Sequence, residues 1–128
     1  MNSKNIILAN IDQIVVENGI WENDKLSPIF LSALEINDKG EDKISYQLEF
    51  GSWEKLGKVN TLLHKNGIEL DGYGWELFIR KFIRERNPTL EKNIKGDSES
   101  ETCVLWGDNL ENYISLLDNI TLFINLEL

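Results

Sequence analysis

Lys43-Ile44-Ser45-Tyr46-Gln47-Leu48-Glu49-Phe50 sets apolar side chains at 44, 46, 48 and 50 against polar ones at 45, 47 and 49. Period two is the pattern of a β-strand with one face buried and the other wet. Upstream, Ile29 to Asn37 forms a second strand-like run, and the polar stretch Asp38-Lys39-Gly40-Glu41-Asp42 joins the two. Two strands around a short turn containing Gly make an antiparallel hairpin, and the rest of the chain reads outward from it.

On the N-terminal side, Asn5 to Val16 is rich in Ile, Leu and Val and reads as another strand, with an irregularity near Asp12–Gln13. Glu17 to Pro28, with Asn, Gly, Asp and Pro, reads as a loop that carries Trp21. On the C-terminal side, Ser52 is placed to cap a helix bearing Trp53, Leu56, Val59, Leu62 and Leu63, which Asn66-Gly67 stops. Ile68 to Leu70 reads as a short extended segment. A second helix spans Tyr73 to Asn87, with Trp75, Phe78, Ile79, Phe82 and Ile83 as its apolar stripe and Pro88 as its end. Leu90 to Gly96 reads as a turn and strand, and Glu101 to Trp106 as a strand with Thr102, Val104 and Trp106 on one face. Asp108 then caps a third helix holding Leu110, Tyr113, Ile114 and Leu117, and the alternation in Thr121 to Leu128 predicts a last strand. The expected order is β-β-β-α-α-β-β-α-β. Runs of strands and runs of helices indicate the α+β class: a mainly antiparallel sheet with about three helices packed on it, as one domain over residues 1–128.

The composition narrows the function. Hydrophobic residues are 41% and charged residues 27% of 128, ordinary proportions for a globular chain that can hold a core. The first apolar cluster, Ile6 to Leu8, is too short for a signal-peptide core, no apolar run approaches the ~20 residues of a membrane span, and neither end carries a lipidation motif. A single cysteine, Cys103, excludes an internal disulfide and fits a reducing compartment, so the expected location is the cytoplasm. The net charge of −9 argues against nucleic acid and against an anionic membrane as partners. A basic partner and simple solubility are both compatible with it.

Catalytic equipment is sparse. His64 is the lone histidine, beside Lys65 at the end of the first predicted helix, where it favours the helix dipole; a His-based metal site lacks its second ligand. Cys103 stands near Glu99 and Glu101, which would raise its pKa and quieten it, so a half-buried structural cysteine is expected. Gly72-Tyr73-Gly74 lacks the continuation of a phosphate loop and reads as a tight turn into a helix; no GxGxxG, P-loop, HExxH or GxSxG pattern occurs. No catalytic residue, metal site or cofactor is therefore expected. Acidic pairs are numerous among 22 Asp and Glu, which keeps a small carboxylate-dependent hydrolase as the rival reading from another class. A non-catalytic adaptor subunit is a third.

The charges are unevenly spread. Residues 73–95 hold six basic and three acidic side chains, whereas 96–128 hold seven acidic ones and no Lys or Arg. A solvated acidic face is one account. The other is a docking surface for a basic partner, formed by Asp97, Glu99, Glu101, Asp108 and Glu111, where opposed potentials speed association and fix register.

From residue 72 the sequence resembles a known family. Gly72-Tyr73-Gly74-Trp75-Glu76, the Arg-rich helix to Asn87-Pro88, the segment Gly96-Asp97-Ser98-Glu99-Ser100-Glu101-Thr102-Cys103-Val104-Leu105-Trp106 and the acidic helix after it look like immunity protein family 51 of bacterial polymorphic toxin systems. The resemblance implies a cytoplasmic antitoxin, not an enzyme, that binds and neutralises a cognate toxin domain delivered by a neighbouring cell. It also implies that the toxin is encoded by the adjacent gene. Many such toxins are nucleases, whose active faces are basic in order to hold phosphates. An acidic inhibitor can occlude such a face as a phosphate mimic.

Overall fold

A computed structural model describes residues 3–16, 21–22, 29–51, 57–107 and 109–125. In chain order the elements are α1 (Ser3–Val16), β1 (Trp21–Glu22), β2 (Phe30–Asp38), β3 (Glu41–Phe50), α2 (Gly57–Lys65), α3 (Gly72–Arg86), α4 (Pro88–Lys92), β4 (Ile94–Gly96), β5 (Cys103–Gly107) and α5 (Leu110–Asn125). The strands form one antiparallel sheet in the order β1-β2-β3-β5-β4. This is the expected α+β class, with five helices among the described residues where about three were expected.

The hairpin of β2 and β3 forms where the period-two pattern places it, but its strands run further into the polar stretch. Asp38 pairs with Glu41, which leaves a turn of only Lys39 and Gly40. Both have positive φ, 55° and 86°, as a two-residue turn matched to the right-handed strand twist requires. Register then sorts the faces. Leu31, Leu48 and Leu105 lie in one cross-strand row and Ala33, Tyr46, Gly107 and Ile94 in the next, all on the side that holds the core. The helices pack on that side: Ile7 and Ile14 from α1, Val59 and Leu63 from α2, Trp75, Ile79 and Ile83 from α3, and Tyr113, Leu116, Leu117, Ile120 and Phe123 from α5 join one cluster.

Several sequence readings are corrected. Asn5 to Val16 lies in helix α1, not in a strand. Fully buried Ile7 and Ile14 stand two turns apart, and Asn10 Nδ2 donates to the Ile6 carbonyl 2.8 Å away, an i−4 contact that helical backbone supplies. Burial outweighs the β-propensity of the many Ile residues here. At the other end, Thr121 to Asn125 continues α5 and forms no strand. Tyr113, Leu116, Leu117, Ile120 and Phe123 are all buried, a helical spacing. Asn119 and Thr121 bond back to the carbonyls of Ser115 (2.8 Å) and Leu117 (2.9 Å), as helical backbone allows. At the start of α5, Asn109 Oδ1 accepts from Asn112 N at 2.8 Å. Asp108, Ser52, Trp53, Leu56 and most of the Glu17–Pro28 segment lie outside the described residues, as do Leu126 to Leu128. Ile68 to Leu70 forms no strand. Asn87 ends α3 and, with its Oδ1 accepting from Leu90 N at 3.1 Å, also opens α4, where Pro88 sits in the first turn.

The helix stop at Asn66-Gly67 is as read. Gly67 has φ +71°, its N–H donates to His64 O at 3.1 Å, and Ile68 N donates to Leu63 O at 3.0 Å. These bonds satisfy the last carbonyls of α2. Exposed His64 and Lys65 occupy that last turn, where positive or dipolar groups favour the helix.

Candidate acidic interface

β4 and β5 form a second hairpin. Asp97 N donates to Val104 O at 3.0 Å, and Glu99 and Thr102 exchange backbone bonds of 2.9 and 3.3 Å, leaving Ser100 and Glu101 at the tip. Ser98 Oγ donates to Glu76 Oε1 of α3 at 2.7 Å and accepts from Val104 N at 3.0 Å, so this one hydroxyl ties the loop to both its own strand and the helix.

The tip is seated on the start of α3. Gly72 N donates to Ser100 O at 3.1 Å, and a Cβ built on Gly72 would overlap the carbonyl oxygens of Glu99 and Thr102. Gly74 is pressed in the same way against the Glu69 carbonyl, while its N–H donates to the capping carboxylate of Asp71 at 2.7 Å. The Gly72-Tyr73-Gly74 element therefore serves close approach of backbones inside a helix, not a turn with special φ. Behind it, Trp75 is fully buried, edge-on to Phe50 and Phe123 at 5.4 and 6.0 Å between centroids, and its Nε1 donates to Asn60 Oδ1 at 3.1 Å.

With its backbone fastened on the inner side, the hairpin presents Asp97, Glu99 and Glu101 as exposed carboxylates. Glu111, in the first turn of α5, is exposed as well. The structure does not bring it beside the others. Glu101 precedes β5 and Glu111 follows it, and the four steps of ~3.3 Å from Cys103 to Gly107 put about 13 Å of extended backbone between them. The described acidic residues thus fall into a hairpin group and Glu111 beyond the opposite end of β5, while Asp108 lies outside the described residues.

Among the described residues, the basic side chains of residues 73–95 form no ion pair with the carboxylates of that hairpin. Arg80 reaches Glu76 (3.3 Å), Glu91 (3.4 Å) and the Ile94 carbonyl (3.1 Å), and Arg84 reaches Glu91 at 3.3 Å, so they bind α3, α4 and β4 together. Arg86 donates to Asn119 and lies over Phe82, and Lys95 lies over Trp106 at 4.9 Å. None of the ion pairs between described residues includes Asp97, Glu99, Glu101 or Glu111.

Cys103 is fully buried rather than half-buried. Burial pushes its thiol up to about 12, and the nearby charge that adds to the rise is Glu76, not Glu99 or Glu101. Such a thiol supplies no thiolate at neutral pH. Among the described residues no group of three or more His, Cys, Asp or Glu side chains is arranged to hold a metal ion. Among the same residues no helix is long and apolar enough to cross a membrane.

Sequence reasoning missed a group of exposed apolar residues beside the hairpin: Leu70 is 45%, Tyr73 59% and Leu77 63% exposed. The signal was available. Tyr73 and Leu77 are one turn apart on the face of α3 opposite Trp75, Ile79 and Ile83, and a helical wheel separates the two sets.

Compared with known proteins, the chain is matched over residues 34–125 by the model of a family described as Immunity protein 51. The match takes in the second half of β2 and all of β3 as well as the stretch from residue 72. No curated protein and no solved structure matches the chain.

Proposed function

This chain belongs to the immunity protein 51 family, and we propose that it is a cytoplasmic antitoxin that works by stoichiometric binding, covering the active face of a basic toxin domain with its acidic surface. The observation that carries this reading is the β4–β5 hairpin. Three exposed carboxylates, at Asp97, Glu99 and Glu101, stand on a backbone fastened to α3, and the ion pairs between described residues leave them out. A fixed array of like charges in water is unfavourable to itself and favourable to a cationic partner. Toxins that cut nucleic acid carry such a cationic face, since phosphates demand it. Glu111 extends the contact at the other end of β5, and Asp108 joins the proposed contact on its charge alone.

The mechanism is occlusion, with no bond made or broken by this chain. Its one histidine and one buried thiol hold structural places. Charges at a contact rim act mostly on the rate of encounter. Changing Asp97, Glu99 and Glu101 together to Lys should leave the melting temperature nearly unchanged, because exposed charges contribute little to stability. It should slow association with the toxin domain encoded by the adjacent gene by about 10–100-fold at low salt, and abolish protection of cells expressing that toxin. The parent complex should associate more slowly as salt rises. Glu111→Lys alone should give a smaller effect. Equal, salt-independent association for parent and triple variant would move the contact elsewhere, for instance to the Asp38–Asp42 turn.

A further inference from the structure

Leu70, Tyr73 and Leu77 are the most exposed large apolar side chains around α3, at 45%, 59% and 63%. Tyr73 and Leu77 neighbour each other at i, i+4, and Leu70 stands just before the cap, Asp71. Packing does not account for them: the buried stripe of α3 is Trp75, Ile79 and Ile83, on the other side of the helix. Tyrosine in particular is an amphipathic residue that is enriched at protein contacts and among their energetic hot spots.

The surroundings of this patch identify its occupant. At its N-terminal edge Glu69 is exposed and packs its carbonyl against Gly74; on its flank the acidic tip, Glu99 to Glu101, sits on Gly72. Beside it lies a surface cleft of about 460 Å³ lined by His64, Gly67, Ile68, Glu69 and Leu70, so that Leu70 belongs to both ridge and cleft. The first cation along the same helix face is Arg80, seven residues from Tyr73 or roughly 10 Å along the axis, and it is engaged with Glu76, Glu91 and the Ile94 carbonyl. An apolar ridge bordered by carboxylates has the anatomy of an interface core with a charged rim.

Building on the antitoxin reading above, we infer that Tyr73 and Leu77 form the apolar centre of the toxin-binding surface, with the Asp97–Glu101 hairpin as its rim. The partner is a protein face that offers an apolar pocket ringed by Lys and Arg; a basic side chain from that ring enters the cleft beside Leu70, towards Glu69. Centre and rim make separable contributions. The rim governs how fast the complex forms, and the desolvated centre governs how slowly it comes apart.

The test uses the full chain and the toxin domain encoded by the adjacent gene, with association and dissociation rates measured for the parent, Tyr73→Ala, Leu77→Ala and the double variant. Leu8→Ala serves as control, since Leu8 is 44% exposed on α1, which packs against β2 whereas α3 packs against β5, two strands further across the same face of the sheet. The expected result is a dissociation rate at least about 30-fold faster for the double variant. Its association rate should stay within about twofold and its melting temperature near the parent's, with the control unchanged. A double variant that dissociates like the parent overturns the assignment while leaving the antitoxin reading intact. A parent that does not bind the toxin overturns that reading and the assignment with it. A parent that sediments as a dimer which the double variant dissociates, with toxin binding unaffected, gives the patch to a second copy of the chain and overturns the proposal.

Discussion

Two glycines, each the first residue of a helix, should respond to alanine in opposite directions. At Gly57, the first residue of α2, a Cβ meets nothing within 4 Å. At Gly72, the first residue of α3, it runs into the carbonyl oxygens of Glu99 and Thr102. Alanine improves helix propensity by up to about 1 kcal/mol at either position. At Gly72 that gain is opposed by overpacking, typically about 1–3 kcal/mol. The upper end applies, because the obstacles are backbone oxygens held in the hairpin rather than a side chain that can rotate. The strained Gly72–Ser100 hydrogen bond adds about 1 kcal/mol. The net loss at Gly72 is about 2–3 kcal/mol, against a gain of up to about 1 kcal/mol at Gly57. With an unfolding entropy of about 2.1 cal/mol/K per residue over 128 residues, Gly72→Ala should melt roughly 7–11 °C lower and Gly57→Ala up to about 4 °C higher. Thermal unfolding followed by far-ultraviolet circular dichroism, checked by urea titration, reads both. Gly72→Ala as stable as the parent would mean that the acidic hairpin is not seated on α3, and the fixed placement of its carboxylates would fail with it.

Other expectations follow from the buried groups. Trp75→Ala should cost about 3–5 kcal/mol in urea unfolding, and Trp75→Phe less, since it keeps a ring facing Phe50 and Phe123 and loses mainly the bond to Asn60; an alanine variant as stable as its parent that no longer binds toxin would make Trp75 a contact residue. Cys103 should be unreactive to a thiol reagent in the native protein and react on unfolding, and rapid native-state labelling would contradict its burial. Because its folded pKa is raised to about 12, the stability it protects is complete below the ordinary thiol value of about 8.5 and is lost as pH climbs from there towards 12. Relative to Cys103→Ala, the parent should lose about 1.4 kcal/mol per pH unit across that window, and parallel pH curves for the two proteins would refute the assignment.

Where one local signal dominated, the sequence was readable. Strict alternation from Ile44 to Phe50, a Gly at a left-handed helix stop, and Pro88 beyond Asn87 each leave one good backbone solution, and the structure adopts it. The two helices read as strands, α1 and the last turns of α5, share a different property. Both are crowded with Ile and neighbouring Asn or Thr, whose intrinsic preferences are weaker for helix. What decides them is tertiary: α1 and α5 lie against each other over the sheet, and only helical spacing brings Ile7 and Ile14, or Leu116, Ile120 and Phe123, onto the buried side. That information belongs to the partner surface, and no window along the chain contains it.

The candidate site divides along the same line. Its charge was legible, because a 33-residue stretch with seven acids and no Lys or Arg is a property of the sequence itself. Its shape was not. Proximity in sequence suggested that Glu101 and Glu111 share a surface, yet an extended strand separates them more effectively than a helix of the same length would, by a rise of ~3.3 Å per residue against 1.5 Å. Meanwhile Tyr73 and Glu99, twenty-six positions apart, become neighbours because Gly72 lets two backbones touch. The glycine that gave the helix its recognisable opening is therefore also what builds the surface: it sets an acidic loop beside an exposed tyrosine. Replacing it with any larger residue should disturb fold and binding together, whereas replacing Tyr73 should disturb binding alone.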